Sequence, residues 1–148
     1  MHFSLFTDID GTKLTDEDRQ TLLHPAVSGV ILFSRNFRNI AQLEQLIKEI
    51  RALKTPRLLV SVDQEGGSVQ RFRHPFTKLP SFSSIGHIYQ TNPTMGKKIL
   101  VEHACIMVEE LASVGVDFSF TPVVDIGNEK SKVLETRTFS DKPEVVAE

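Results

Sequence analysis

The chain is short of several things, and each shortage excludes something. Its one cysteine, Cys105, leaves no partner for an internal disulfide and suits a reducing compartment. A net charge of -2 gives no electrostatic case for nucleic acid or for an anionic membrane. No apolar run reaches the roughly 20 residues that a membrane helix needs. The start of the chain, Met1 to Asp8, lacks a basic stretch followed by a long apolar one, so no signal peptide is expected. The cytoplasm is the expected location. His24, His74, His87 and His103 show no metal-ligand spacing with each other or with Cys105. His103 falls in a helical stretch and is expected to be packed or half-exposed. Cys105 is expected to be a small core residue rather than a nucleophile.

What is present is ordinary for a soluble globular protein: 40% hydrophobic and 24% charged residues. With 148 residues the chain is long enough for one domain with a real core. Residues 3–8 predict a short strand. Thr15 is placed to cap a helix over about 16–23, with Asp16, Glu17 and Asp18 in its first turn. Gly29 to Ser34 is a continuous apolar run, as in a parallel strand covered on both faces. Ile40, Leu43, Leu46, Ile47 and Ile50 recur at helical spacing over 40–53, and Pro56 stops that helix. Residues 58–63 predict a third strand.

Residues 74–92 lack clear periodicity and predict a long loop. A strong helix follows from Pro93 to about Val114, with Ile99, Ala104, Met107, Val108 and Leu111 near one face and Gly115 at its C′ position. Residues 117–121 predict a fourth strand, and Pro143 suits the first position of another helix. Repeated βα units imply an α/β fold with a parallel sheet.

The stretch Leu58-Leu-Val-Ser-Val-Asp-Gln-Glu-Gly-Gly-Ser-Val-Gln-Arg-Phe-Arg73 is the most informative part of the chain. An apolar, β-rich run breaks into acid, amide, acid, two glycines and two arginines. Strands of α/β folds discharge functional polar groups at their C-terminal ends. Paired glycines permit backbone conformations that a Cβ disfavours. Asp63 and Arg71 bracket the turn and could grip one polar ligand from two sides; a structural ion pair has the same spacing. Arg35 and Asn36, after the second strand, present the same ambiguity. Asp125 lies at the end of the fourth strand, where it could bond a ligand or hold a neighbouring loop.

Val62-Asp63-Gln64-Glu65-Gly66-Gly67-Ser68-Val69-Gln70-Arg71-Phe72 closely resembles the D-Q-E-G-G-x-V-Q-R signature of bacterial β-N-acetylhexosaminidases of glycoside hydrolase family 3. Gly29-Val-Ile-Leu-Phe-Ser-Arg-Asn36 resembles the family's second strand and the loop after it, Phe76-Thr-Lys-Leu-Pro80 follows the signature as in the family, and Phe118-Ser-Phe-Thr-Pro-Val-Val-Asp-Ile-Gly127 resembles its fourth strand. The resemblance covers essentially the whole chain. It implies a (β/α)8 TIM-type barrel, of which this chain is the first half: about four βα units without an internal domain boundary, truncated at the C-terminus.

It further implies that Asp63 and Arg71 contact a non-reducing N-acetylglucosamine. Arg137, in Leu134-Glu135-Thr136-Arg137-Thr138-Phe139, matches an R-S-F-type motif that also contacts substrate, with Thr138 where serine is common. Glu65 is expected to order the glycine turn rather than to do acid–base work, and Asp125 is a possible support. The implied reaction removes terminal β-linked N-acetylglucosamine from peptidoglycan fragments by retaining double displacement, without a cofactor or metal. The family's nucleophilic aspartate and acid/base histidine have no counterpart motif here and are expected beyond Glu148.

Two rival functions remain at this point. Phe6-Thr-Asp8-Ile9-Asp10-Gly11-Thr12 matches D-x-D-G-T, the first motif of haloacid-dehalogenase-type phosphatases, in which the first aspartate attacks phosphorus. Lys13-Leu14 follows instead of an immediate leucine, and no later Asp-Asp metal motif is visible. The other rival is a non-catalytic half-barrel remnant or sugar-binding module. Half a barrel leaves two sheet edges and apolar surface uncovered. Alone, such a chain is expected to dimerise, aggregate or be partly molten.

Overall fold

The computed structural model describes residues 4–128 and 130–148; Phe3, the first residue of the predicted first strand, lies outside the described residues. In chain order the elements are β1 (Leu5–Thr7), α1 (Asp16–Leu23), β2 (Val27–Leu32), a 3-10 turn (Ser34–Asn36), α2 (Ile40–Ala52), β3 (Leu59–Val62), β4 (Gln64–Gly66), β5 (Val69–Gln70), α3 (Phe82–Thr91), α4 (Pro93–Ser113), β6 (Phe118–Ser119) and α5 (Pro143–Ala147). They fall into two compact units, Met1–Asp63 with Glu109–Ser119 and Gln64–Val108 with Phe120–Glu148.

The first unit is built on a four-stranded sheet of order β1-β2-β3-β6. All three pairings are parallel, as the βα repetition predicts. Val30 pairs with Val60 and Leu32 with Val62. All four are fully buried, as expected for strands covered on both faces. Ser61 is buried among them and donates its hydroxyl proton to the Val30 carbonyl at 3.0 Å, which removes the penalty for burying it.

α1 starts where the sequence says. Asp18 N–H donates to Thr15 Oγ1 at 3.0 Å, and Thr15 N–H donates to Asp18 Oδ2 at 2.8 Å, a reciprocal capping box. α2 buries Leu43, Leu46, Ile47 and Ile50. Each contributes roughly 1.5–3 kcal/mol by leaving water, as an upper estimate.

The C-terminal edge of this sheet carries the phosphatase-like loop. Asp8 is engaged by Arg35, whose guanidinium lies 4.7 Å from the centre of the Phe33 ring. Asn36, fully buried, donates to the carbonyls of Ile9 and Gly11 at 3.0 and 2.9 Å. Arg35 and Asn36 therefore brace this loop. Asp117 anchors the opposite part of the unit. It accepts from Arg51, Arg57 and the Val60 N–H at 2.8 to 2.9 Å. Burial would raise its pKa, but the Arg57 and Val60 hydrogen bonds and the two guanidinium charges outweigh that and hold it below the usual carboxylate value.

The second unit opens with the antiparallel hairpin β4–β5. Here the structure corrects several expectations. Residues 74–92 are not one long loop, because α3 occupies Phe82–Thr91. Ser81 caps it by accepting from Ser84 N–H at 3.3 Å, and Phe82, Ile85, Gly86 and Tyr89 form its buried face. The glycine and the serines hid that helical spacing.

α4 runs as expected and Gly115 follows it at φ +92, but the predicted apolar face is rotated. Gly96, His103, Met107 and Leu111 are buried, whereas Ala104 and Val108 are exposed. Gly96 sets that face: a Cβ there would lie 2.6 Å from the Tyr89 backbone. Cys105, on the same helix, is exposed rather than a core residue. The fourth strand, β6, stops at Ser119, soon before Pro122, which has no N–H to give a ladder.

Candidate functional site

The signature segment is held by side chains more than by ladder bonds. Gly66 and Gly67 adopt φ of +88 and +58, in the left-handed region. Space excludes a side chain as well: a Cβ at Gly66 would lie 2.4 Å from the Pro80 carbonyl oxygen, and one at Gly67 would lie 2.6 Å from Ser81 Cβ.

Two buried glutamines tie the rest of the turn together. Gln64 Oε1 accepts from the N–H groups of Arg71 and Phe72 at 2.9 and 3.0 Å, while its Nε2 donates to the Phe72 carbonyl at 2.9 Å. Gln70 Oε1 accepts from Leu79 N–H at 3.0 Å, and its Nε2 donates to the Thr77 carbonyl at 2.7 Å. These amides replace water for backbone groups that no ladder serves. No periodicity marks them in the sequence. The usable signal was two amides placed inside a segment flanked by Val62, Val69 and Phe72, all poor surroundings for an unpaired polar group.

Glu65 is 2% exposed and faces Arg137. Arg137 Nη2 donates to Glu65 Oε1 at 2.6 Å and Arg137 Nε to Oε2 at 2.9 Å, a two-pronged ion pair. The Arg137 loop is fastened around it. Ser68 and Thr136 hydroxyls lie 3.1 Å apart, and the Arg137 and Thr138 N–H groups donate to the Leu134 carbonyl at 2.9 and 3.3 Å. Thr138 is buried. Of the residues singled out from sequence, the fold thus brings Glu65 and Arg137 together.

Asp63 is half-buried, directly after β3 in the first unit. Arg71 is half-buried after β5 in the second. Asp125 departs from expectation. It is exposed and lies beyond the end of β6, in an irregular stretch, because the strand ends at Ser119. Behind the turn, His103 is 3% exposed, and its ring stacks against Phe82 with centroids 5.1 Å apart. Among the described residues, no group of three or more His, Cys, Asp or Glu side chains could hold a metal ion.

An arginine fork oriented by a buried carboxylate, on a turn with no slack, can hold hydroxyl and carbonyl oxygens in fixed places. Known proteins resemble this chain over nearly its whole length. The glycosyl hydrolase family 3 N-terminal domain matches residues 5–148. A β-hexosaminidase of Thioalkalivibrio sulfidiphilus is 50% identical over 141 residues, which are 95% of this chain and 41% of that protein.

The crystal structure of native NagZ from Neisseria gonorrhoeae superposes with a TM-score of 0.93 at 43% identity, over 96% of this chain and 42% of that one. The same protein in complex with N-trifluoroacetyl-D-glucosamine gives 0.95 at 41% identity, over 99% of this chain and 44% of that one. The chain spans about two fifths of the length of such relatives. By the match of nearly its whole length, this chain belongs to glycosyl hydrolase family 3, in the family's N-terminal domain.

Proposed function

We propose that the protein carrying this chain is a β-N-acetylhexosaminidase that removes terminal β-linked N-acetylglucosamine from peptidoglycan fragments in the cytoplasm. The substrate is then an N-acetylglucosamine-containing muropeptide. The observation that carries most weight is the Arg137 fork fixed on the buried Glu65 carboxylate within the family signature. The kinship with a NagZ that binds an N-acylated glucosamine supports the sugar class.

In this proposal Asp63, Arg71 and Arg137 hold the sugar. A carboxylate such as Asp63 accepts hydrogen bonds from adjacent hydroxyls, and the arginines donate to hydroxyl or carbonyl oxygens. Fixing the ring orients the anomeric carbon, and orientation supplies a large share of rate acceleration. Hydrolysis with retention needs a nucleophile and an acid/base on opposite sides of the scissile bond. Both are placed beyond Glu148, within a single TIM-type barrel whose first four βα units this chain supplies. Asp125 keeps the supporting part suggested by sequence.

A second possibility is a sugar-binding half-barrel without catalysis, favoured by the exposed apolar side chains and open sheet edges of this chain. Leu5, Leu59, Val101 and Val108 are 41% to 62% exposed, and β1 and β6 are the outer strands of the sheet. On that basis the isolated chain self-associates.

The test is hydrolysis of a chromogenic N-acetyl-β-D-glucosaminide by the complete gene product, with NMR of the first-formed anomer. Release of the β-anomer is expected, and Arg71→Ala lowers kcat/KM by about a hundredfold, the loss of a charged hydrogen-bonding contact. Binding of N-acetylglucosamine without turnover would favour the non-catalytic alternative. No binding and no turnover would end both.

A further inference from the structure

The second unit buries an imidazole that the proposed chemistry leaves idle. His103, on α4, places Nε2 against the backbone of the signature turn: a Cβ added to Gly66 would lie 2.9 Å from it. The carbonyls of Pro80 and Glu65 lie near enough to act on the ring. Nε2 nevertheless closes no hydrogen bond of normal geometry. Burial pushes the imidazole pKa below its ordinary 6.5, against the pull of those two carbonyls, and so favours the neutral ring.

A buried polar atom in this state calls for an explanation, because an apolar side chain would avoid its desolvation. Shape supplies one. A five-membered ring stacks on Phe82 yet stops short of the Gly66 backbone. Phenylalanine would stack equally well but reaches further, into a turn with no spare room. Leucine would fit the space without the flat face. The dipolar edge of imidazole also suits the two carbonyls better than a C–H edge does.

We propose that His103 is a positioning residue: it backs the Glu65–Gly66 turn and, through the Glu65 carboxylate, fixes the Arg137 guanidinium. This goes beyond the grip of Asp63, Arg71 and Arg137, and its kinetic part rests on the proposed glycosidase activity. The chain of contacts is short. His103 Nε2 occupies the space beside residue 66 that a Cβ there would need, and residue 65 carries the carboxylate that holds Arg137 from two sides. A shift of the turn therefore moves the guanidinium before it disturbs the rest of the unit.

The experiment compares His103→Phe and His103→Gln with the parent in the complete gene product. Glutamine can place an amide nitrogen where Nε2 lies. Two quantities are read: hydrogen exchange of the Arg137 Nε–H by NMR, assigned with Arg137→Lys, and the split between KM and kcat on the N-acetyl-β-D-glucosaminide. In His103→Phe the Arg137 Nε–H should exchange at least about tenfold faster, and KM should rise about tenfold with kcat within about threefold. His103→Gln should restore both.

If His103→Phe leaves exchange and KM unchanged, or if His103→Gln is as impaired as His103→Phe, the inference is overturned. Should His103→Phe fail to fold, His103→Leu makes the same comparison. A parent without turnover would refute the glycosidase proposal only, because the exchange measurement needs no substrate.

Discussion

The two units solve the problem of satisfying buried backbone in different ways. In the first, the parallel ladder between β2 and β3 pairs main chain with main chain, and Val30, Leu32, Val60 and Val62 fill the space around it. In the second, the segment that matters most has only a short hairpin. Gln64 and Gln70 do there what a sheet does elsewhere, and Glu65 fixes the Arg137 side chain. A ladder tolerates many apolar side chains. A turn held by specific amides and one carboxylate tolerates few changes, and it can present an arginine at a fixed angle. The signature turn therefore depends on specific side-chain bonds where the β2–β3 ladder depends on burial.

The sharpest way to break the contrast is Gly66→Ala. The positive φ costs about 1–3 kcal/mol for a residue with a Cβ, and the clash with the Pro80 carbonyl adds a similar amount. A loss of about 4 kcal/mol in denaturant-derived stability is expected. A loss under about 1 kcal/mol would mean that the turn has slack. Next is Glu65→Gln, which leaves the Arg137 charge partly buried without its carboxylate. Breaking such pairs costs 3–5 kcal/mol when fully buried. Arg137 keeps 28% side-chain exposure, so about 2–3 kcal/mol is expected from thermal or urea unfolding.

Gln70→Leu comes third. It removes the amide that accepts from the Leu79 N–H and should cost about 2 kcal/mol, against near neutrality if that group simply turned to water. In the first unit the comparable polar change is smaller. Thr15→Ala removes one half of a capping box at an exposed helix end, for about 1 kcal/mol.

Acid titration separates the units without mutation. The folded pKa of His103 lies below its ordinary 6.5. The unfolded chain therefore binds the extra proton first, and stability is full above 6.5 and declines as pH falls below it. Asp117 has a folded pKa below its ordinary 3.8. Its contribution is present above 3.8 and disappears only as pH falls through the lower folded value. Hydrogen-exchange protection, measured relative to the unfolded chain at each pH from 7 to 4, should therefore fall around residues 64–82 before it does in β2 and β3. Simultaneous loosening of both would contradict the difference.

What could be read from sequence follows the same division. Thr15 with Asp18, the spacing of Leu43, Leu46, Ile47 and Ile50, the Val-rich strands and Gly115 are local signals, and each is where it was expected. α3 was hidden because Gly86 occupies a buried helix position for a reason visible only in three dimensions: a Cβ there would lie 1.9 Å from the Phe139 carbonyl oxygen. The buried face of α4 was misjudged because Val101 and Val108 are apolar yet exposed, while the small Gly96 and the polar His103 face inward. Asp125 was assigned to a strand end that Pro122 prevents. At the site, the segment 63–71 and Arg137 stood out as residues. Their connection through Glu65 spans 72 positions in sequence, and no periodicity reports a contact of that kind.

The most direct test of the account is Glu65→Gln in the complete gene product, assayed on an N-acetyl-β-D-glucosaminide beside the parent. If a buried carboxylate fixes the sugar-gripping arginine, KM rises by about tenfold or more while kcat changes little, because binding is lost equally from substrate and transition state. Unchanged KM and kcat in a folded Glu65→Gln enzyme would contradict it.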